Sequence, residues 1–138
     1  MVMTKEEIIK FRNNGFTSYL GIQITDLNDG YAKGEMPILD HHENPMHSVH
    51  GGCLFSLADT VAGTAAAAGG TFMSTISGDF HYLSPAVKVE KLIAVATEKK
   101  RGKKIAVYNI EIFNEQEELL AIGTFSFFNL DIPLNEIS

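Results

Sequence analysis

The sequence predicts an α+β domain in which one antiparallel sheet wraps around a single long helix. The helix is indicated by the Ala-rich apolar stretch of residues 51–69, which is long enough for about five turns. Segments of β-type residues flank this stretch, one hairpin before it and four strands after it. A single apolar helix and a single sheet can bury their apolar faces only against each other.

Capping and turn signals place the elements before the long helix. Thr4 and Glu7 have the spacing of a capping box, which marks the start of a helix. Asn28-Asp29-Gly30 is a strong hairpin-turn signal between two stretches of β-type residues. The predicted elements are a short helix over about 4–14, a strand from Ile22 to the turn, a return strand from Tyr31 to Leu39 and an irregular segment over 40–50.

After the long helix the sequence predicts four consecutive antiparallel strands, so that the sheet has five to six strands. Gly102 separates the second of them from the third, and residues 114–117 separate the third from the fourth. We expect residues 1–138 to form one domain. The four strands are predicted at roughly 72–84, 89–99, 103–114 and 118–129.

The composition argues against several functional classes. Apolar residues make up 45% and charged residues 20% of the chain, as in ordinary globular proteins. The net charge of −6 argues against a nucleic-acid-binding protein. We expect no membrane association, because no apolar run is long enough to span a bilayer and the N-terminus lacks a signal-peptide pattern. The single cysteine, Cys53, indicates a reducing compartment, which we expect to be the cytoplasm.

One side of the long helix carries small residues around a single carboxylate. Asp59 is the only Asp, Glu, Lys, Arg or His between His50 and Asp79, and Asp is a poor residue for a helix interior. It is therefore a candidate catalytic carboxylate, although an Asp that caps a neighbouring loop would give the same pattern. The side that faces the sheet is expected to contain Leu54, Leu57, Ala58, Val61 and Ala65, and the opposite side Gly52, Ser56, Asp59, Gly63 and Ala66.

The start of the same helix provides candidate hydrogen-bond donors for a substrate. The first N–H groups of a helix have no intrahelical acceptor, and the helix dipole makes this end positive. Gly51 and Gly52 leave these N–H groups accessible to a substrate carbonyl. Asp59 lies eight residues beyond Gly51, or about 12 Å along the axis. If both groups act on one substrate, they come from different subunits of a dimer.

The spacing Asn44-x5-His50-Gly51-Gly52-x6-Asp59, followed by Tyr82-Leu83-Ser84-Pro85-Ala86, resembles the motif of the PaaI-like (phenylacetate-pathway) hotdog-fold thioesterases. The resemblance covers roughly residues 16–129. It implies the hotdog fold, in which an antiparallel sheet wraps one long central helix, and the hydrolysis of an acyl-CoA substrate. It also implies a homodimer that assembles the active site and often pairs again into a homotetramer.

Residue by residue, the resemblance implies a role for each position that matches the motif. Gly51 would donate its N–H to the oxyanion, while Asn44 and His50 orient the thioester. Asp59 of the partner subunit would act as nucleophile or as general base toward water. Thr75 matches a hydroxyl residue that helps to hold this water in many relatives.

Two positions depart from the family pattern. Ser84 stands where many relatives have Arg before the Pro, so one possible contact with CoA is absent. Gly78 and Asp79 lie in a strand where apolar or Asn residues are expected.

A basic tract over residues 99–104 holds five of the eleven Lys and Arg residues of the chain. At the tip of a hairpin, such a tract either keeps a sheet edge soluble or binds phosphate groups. The candidate contacts with the phosphates of CoA are Lys100, Arg101 and Lys103. Nucleic acid is disfavoured, because the tract has no aromatic residue on which a base could stack.

Two further hypotheses concern metal binding and a thiol nucleophile. Four His residues lie within residues 41–50, but their spacing matches no zinc signature, and we expect neither a metal nor another cofactor. Cys53 lies in the first helical turn near His50, where the dipole lowers the pKa of a thiol. A free cysteine is, however, most often a small apolar filler.

Two alternative functions share the hotdog fold. A hydratase or dehydratase of acyl thioesters needs an acid–base pair at one reacting centre, whereas the motif matches thioesterases. A non-catalytic acyl-CoA-binding protein would not require Asp59 beside an accessible helix start.

Overall fold

In the computed structural model, which describes residues 3–136, the helices and strands follow the predicted order. The first helix has its capping box, since Thr4 and Glu7 each accept a hydrogen bond from the other's backbone N–H. The sequence does not predict the second helix, which is five residues long and lies between Gly15 and Gly21. The elements are α1 (Lys5–Arg12), α2 (Phe16–Leu20), β1 (Gln23–Asn28), β2 (Tyr31–Pro37), a 3-10 turn (Asp40–His42), α3 (Gly51–Ala67), β3 (Thr71–Tyr82), β4 (Lys91–Arg101), β5 (Ile105–Asn114), β6 (Leu119–Pro133) and a second 3-10 turn (Leu134–Glu136).

The sheet is antiparallel, but its strands do not all pair in chain order. The order is β1-β2-β4-β5-β6-β3, so β3 does not neighbour β4. Instead, β2 pairs with β4, and β3 pairs with β6 from Thr71 opposite Pro133 to Tyr82 opposite Ala121. Because β4 pairs with β2, the strands before and after α3 form one continuous sheet over the helix. Strand β3 is an edge strand of this sheet. No helix within residues 3–136 has the length and apolar composition needed to cross a membrane.

The core lies between α3 and the sheet, and α3 contacts all six strands. Leu57, Ala58, Val61 and Ala65 have no exposed surface, as predicted for the side that faces the sheet. Strand β2 approaches the helix so closely that a side chain on Gly34 would begin 2.7 Å from Val61 Cγ2. The apolar strand residues of this core include Met36, Leu92, Ala94, Ala96, Ile110, Ile112, Phe125 and Phe127.

The opposite side of α3 is divided between an accessible half and a buried half. The residues on this side form a stripe along the helix, and they are at least partly exposed as far as Asp59. Farther along the stripe, Gly63 and Ala66 are buried. Arg12 reaches over Gly63 from α1, and its Nη2 lies 2.8 Å from where a Gly63 side chain would begin. Arg101 donates to the Ala66 carbonyl at 3.1 Å. The second half of the stripe is therefore covered by the chain itself and does not need a partner subunit.

His42 is fully buried and ties the segment before α3 to α2. Its Nδ1 accepts a hydrogen bond from Leu39 N–H at 2.9 Å, and its Nε2 donates to the Leu20 carbonyl at 2.8 Å. Its own carbonyl accepts from His50 N–H at 2.8 Å, which fixes the residue that precedes α3. Burial is the main cause that lowers the pKa of His42, so the folded chain holds the ring neutral.

We expect the free energy of unfolding to fall as the pH is lowered from about 7.5 to about 5.5. The unfolded chain protonates His42 near the ordinary pKa of about 6.5, while the folded chain resists this protonation. The unfolded state then binds more protons, and stability decreases by at most ~1.4 kcal/mol per pH unit for one proton.

Urea unfolding at fixed protein concentration measures this effect. His42→Gln should be less stable than the wild type near neutral pH and should show a flatter pH dependence. His47→Gln, at an exposed histidine of the same segment, is the matched control and should keep the wild-type dependence. If His42→Gln showed the same pH dependence of stability as the wild type, this dependence could not be assigned to His42.

Candidate active site

Asp59 lies in the middle of α3 and its carboxylate contacts β3. Its Oδ1 accepts a hydrogen bond from Thr75 Oγ1 at 2.7 Å, so the structure brings together two of the predicted site residues. Among residues 3–136, no backbone N–H donates to the Asp59 carboxylate, and Oδ2 accepts no hydrogen bond. The alternative in which Asp59 caps a loop therefore has no support. A partly exposed carboxylate with one unoccupied oxygen can accept a proton or attack an electrophile.

The start of α3 leaves one backbone donor available. His50 is the N-cap residue, and its Nδ1 accepts from Gly52 N–H at 2.8 Å, while its carbonyl accepts from Cys53 N–H at 2.9 Å. Gly51 N–H donates to no acceptor in the described part of the chain. The prediction that both glycines offer free donors is thus wrong for Gly52, whose N–H is capped. Because Nδ1 accepts, the neutral His50 ring carries its proton on Nε2.

Tyr82 holds the helix start from the end of β3, a role that the sequence analysis missed. Its hydroxyl donates to the Gly51 carbonyl at 2.9 Å, and two of its ring carbons lie 3.2 and 3.3 Å from where a Gly51 side chain would begin. Tyr82 is the first residue of the second motif segment, which is the signal that could have indicated it. A cleft of about 230 Å³ opens beside this contact, lined by Ser48, Val49, Gly51, Leu54, Tyr82, Leu83, Ser84, Pro85 and Ala86.

Asn44 uses its amide group to build the turn that precedes α3. Its Nδ2 donates to Ser48 Oγ at 2.9 Å, and its Oδ1 accepts from the N–H groups of Met46 at 2.9 Å and Ser48 at 3.2 Å. Asn44 therefore shapes the wall of the cleft through Ser48, while the second hydrogen of Nδ2 remains free for a further acceptor. The predicted contact between Asn44 and substrate stays a prediction.

The family departure at Gly78 has a packing reason. A side chain on Gly78 would begin 2.6 Å from Phe125 Cε2 and 3.0 Å from Phe55 Cζ. Phe55, Phe80 and Phe125 pack as tilted and edge-to-face rings with centroids 5.2–6.1 Å apart. Asp79 points to solvent and lies 3.4 Å from His81. The glycine thus makes room for an aromatic wall between the helix start and Asp59.

The structure therefore groups the predicted catalytic residues into two clusters along one continuous helix. The first cluster surrounds the N–H of Gly51 at the helix start, and the second consists of Asp59 and Thr75. Since α3 is continuous from Gly51 to Ala67, the rise of 1.5 Å per residue separates the two clusters by about 12 Å along the axis.

Comparison with known proteins identifies the family. The sequence profile of the Thioesterase superfamily matches residues 46–121. The chain belongs to the thioesterase superfamily. The acyl-coenzyme A thioesterase PaaI of Escherichia coli K12 is 33% identical over 112 residues, which cover 81% of this chain and 80% of that protein.

Solved structures of this superfamily share the fold. The structure of E. coli PaaI, from the phenylacetic acid degradation operon, superposes with a TM-score of 0.85 and 30% identity, covering 90% of both chains. A thioesterase of Haemophilus influenzae has a TM-score of 0.84 and 26% identity, covering 97% of this chain and 94% of that one. The predicted hotdog fold and the PaaI-like resemblance are confirmed, and the chain is a thioester hydrolase.

Among the predicted contacts of this thioesterase with CoA, Arg101 has a different role. It donates to Glu98 Oε1 at 2.9 Å and to the Ala66 carbonyl at 3.1 Å, and its Nη2 contacts the hydroxyl of the buried Tyr108. Arg101 thus joins the hairpin tip to the end of α3 through Nε and Nη2, while Nη1 has no acceptor within the described residues. Lys100 and Lys103 remain exposed.

The metal and thiol hypotheses find no support in the described residues. No group of three or more His, Cys, Asp and Glu within residues 3–136 is arranged to hold a metal ion. The Cys53 thiol is buried, it donates to the His42 carbonyl at 3.8 Å, and burial raises its pKa. A protonated thiol is a poor nucleophile.

Proposed function

We propose that this thioesterase hydrolyses acyl-CoA, and that each active site combines Asp59 of one subunit with the partner subunit's Gly51. The main support for this proposal is the isolated carboxylate of Asp59. Its Oδ1 accepts a hydrogen bond from Thr75, and its Oδ2 accepts none within the described residues. The similarity to the acyl-coenzyme A thioesterase PaaI of E. coli supports the choice of substrate.

The chemistry follows from what each group offers. The Gly51 N–H and the positive end of the helix dipole stabilise the oxyanion that forms on the thioester carbonyl. Asp59 takes a proton from water as the water oxygen bonds to the carbonyl carbon. The oxyanion then collapses and the C–S bond breaks, and Asp59 gives the proton it accepted to the departing CoA thiolate. Because the Thr75 hydroxyl donates to Asp59, its lone pairs can accept from the same water, which favours the general-base route over direct attack by Asp59.

The exposed edge of β3 supports a dimer in which two β3 strands pair. Strand β3 has β6 on one side and no strand on the other within the described residues, and residues 74–79 are exposed along it. Ile76 is 53% exposed at a bulge. A long bare edge of this kind is a template for pairing with another chain. Thr75 lies on this edge, so pairing would bring Asp59 close to the partner. We also propose that two such dimers form a homotetramer, as the PaaI-like resemblance implies.

Besides Nη1 of Arg101, the candidates for contact with the phosphates of CoA are Lys100 and Lys103. Both are exposed at the tip of the β4–β5 hairpin, on a chain whose net charge is −6. Lysine binds phosphate as a point charge, without the fixed geometry that Arg101 would have supplied.

We expect Asp59→Asn to lower kcat by about two to four orders of magnitude, because an amide can act neither as base nor as nucleophile. Thiol release from a panel of short, long and aryl-acyl CoAs measures the activity and identifies the acyl group. Asp79→Asn is the matched control and should keep wild-type turnover, as should Cys53→Ala. Near-wild-type turnover in folded Asp59→Asn would exclude Asp59 as the catalytic carboxylate. Loss of enoyl-CoA absorbance without thiol release would indicate that the protein is a hydratase.

We expect Gly51→Pro to lower kcat by about 10²–10³-fold, since it removes one oxyanion donor. Proline is tolerated at the first position of a helix, and His50 before it has φ −58° and ψ 135°, which proline permits. Gly51→Ala is the matched control, because it makes the same contact with Tyr82 but retains the N–H. Equal turnover in Gly51→Pro and Gly51→Ala would show that the Gly51 N–H takes no part in the mechanism.

A further inference from the structure

The cleft beside Gly51 has mostly apolar walls and few groups that can form hydrogen bonds. Sites for small molecules commonly combine such walls with a small number of fixed polar groups. Besides the Gly51 N–H, the cleft contains three hydroxyl groups, those of Ser48, Tyr82 and Ser84. A hydroxyl whose position and direction are both fixed is the one best suited to bind a substrate.

Two of these hydroxyls do not meet this condition. The Tyr82 hydroxyl already donates its hydrogen to the Gly51 carbonyl at 2.9 Å. The Ser84 side chain is exposed, and no hydrogen bond within the described residues directs its hydroxyl. Ser48 is therefore the hydroxyl of the cleft that could serve as a fixed donor.

The backbone of Ser48 is held from two sides. Its N–H donates to Asn44 Oδ1 at 3.2 Å, and its carbonyl accepts from Asn44 N–H at 2.8 Å. On the other side, Ser48 forms a β-bridge with Val87, and the N–H of Val49 donates to the Ala86 carbonyl at 2.9 Å. These bonds fix the position of the Ser48 side chain in the wall of the cleft.

The side chain of Asn44 fixes the direction in which the Ser48 hydroxyl can donate. Asn44 Oδ1 accepts from two backbone N–H groups, so the other end of the amide is the nitrogen, which can only donate. Asn44 Nδ2 donates to Ser48 Oγ at 2.9 Å. The hydrogen of the Ser48 hydroxyl must then point away from Asn44, and within residues 3–136 it has no acceptor.

We propose that the Ser48 hydroxyl donates a second hydrogen bond to the oxyanion, beside the Gly51 N–H of the same subunit, and that Asn44 is the positioning residue that directs it. This inference rests on the proposed function, in which the thioester carbonyl lies at the start of α3. Donors that are fixed in advance around the developing negative charge stabilise the transition state more than the bound substrate. Asn44 then acts on the substrate through Ser48.

We expect Ser48→Ala to lower kcat by about 10²–10³-fold with little change in KM, because it removes a donor that acts mainly in the transition state. Ser48→Thr keeps a hydroxyl and should retain most of the activity. Ser84→Ala removes a hydroxyl from the same cleft and is the matched control, with wild-type turnover. The assay is thiol release from the acyl-CoA that the wild type hydrolyses fastest, and circular dichroism confirms that each variant is folded.

Asn44→Asp tests the role of Asn44 as the positioning residue. Its carboxylate can still accept from the two backbone N–H groups of the turn, but it cannot donate to Ser48 and instead accepts the hydrogen of the Ser48 hydroxyl. We expect the same loss of kcat as in Ser48→Ala, and no further loss when the two changes are combined. Asn44→Asp also serves as the test if Ser48→Ala does not fold.

Near-wild-type kcat in folded Ser48→Ala, or a raised KM with unchanged kcat, would overturn the inference. Additive losses in the double variant would overturn it too, since Asn44 would then act independently of Ser48. Gly51→Pro separates these failures from a failure of the proposed function. If Gly51→Pro loses turnover and Ser48→Ala does not, only the role of Ser48 is wrong. If neither variant loses turnover, the thioester carbonyl does not lie at the start of α3.

Discussion

The rigidity of α3 is the constraint on which the account of this thioesterase depends. A continuous helix from Gly51 to Ala67 fixes the free Gly51 N–H and the Asp59 carboxylate about 12 Å apart along the axis. Neither side-chain rotation nor a small backbone shift removes such a distance. If both groups act on one thioester carbonyl, they must come from different copies of the helix. A complete active site can then form only in a dimer.

The rest of the fold holds these two groups in place. At the helix start, His50 caps Gly52 N–H and Tyr82 binds the Gly51 carbonyl, which leaves one donor exposed. At the middle of the helix, Thr75 binds Asp59 from the edge strand β3. The sheet covers the apolar face of α3, and α1 covers the second half of its opposite face. The accessible part of the opposite face is thereby confined to the segment from Gly51 to Asp59.

Local signals in the sequence were enough to predict the helix, its two faces, the capping box and the β1–β2 turn, because each depends on residues a few positions apart. The pairing of β3 with β6 could not be predicted in this way, since strand periodicity does not report which strand is a neighbour. The direction of a long side chain is equally hidden, so the inward turn of Arg101 and the reach of Arg12 over Gly63 required coordinates. The motif identified Asn44, Gly51 and Asp59 as candidates, but it did not show that the Asn44 amide builds a turn.

The most direct test of the shared site mixes two inactive proteins. Asp59→Asn and Gly51→Pro are refolded together, and co-purification of a tagged subunit proves that they mix. Each heterodimer holds one undamaged composite site, so about a quarter of all sites should recover thiol release after random mixing. Asp59→Asn mixed with the Gly51→Pro/Asp59→Asn double variant is the control, and it should recover none. No recovery in the first mixture, despite proven exchange of subunits, would mean that each subunit carries a complete site and would contradict the account.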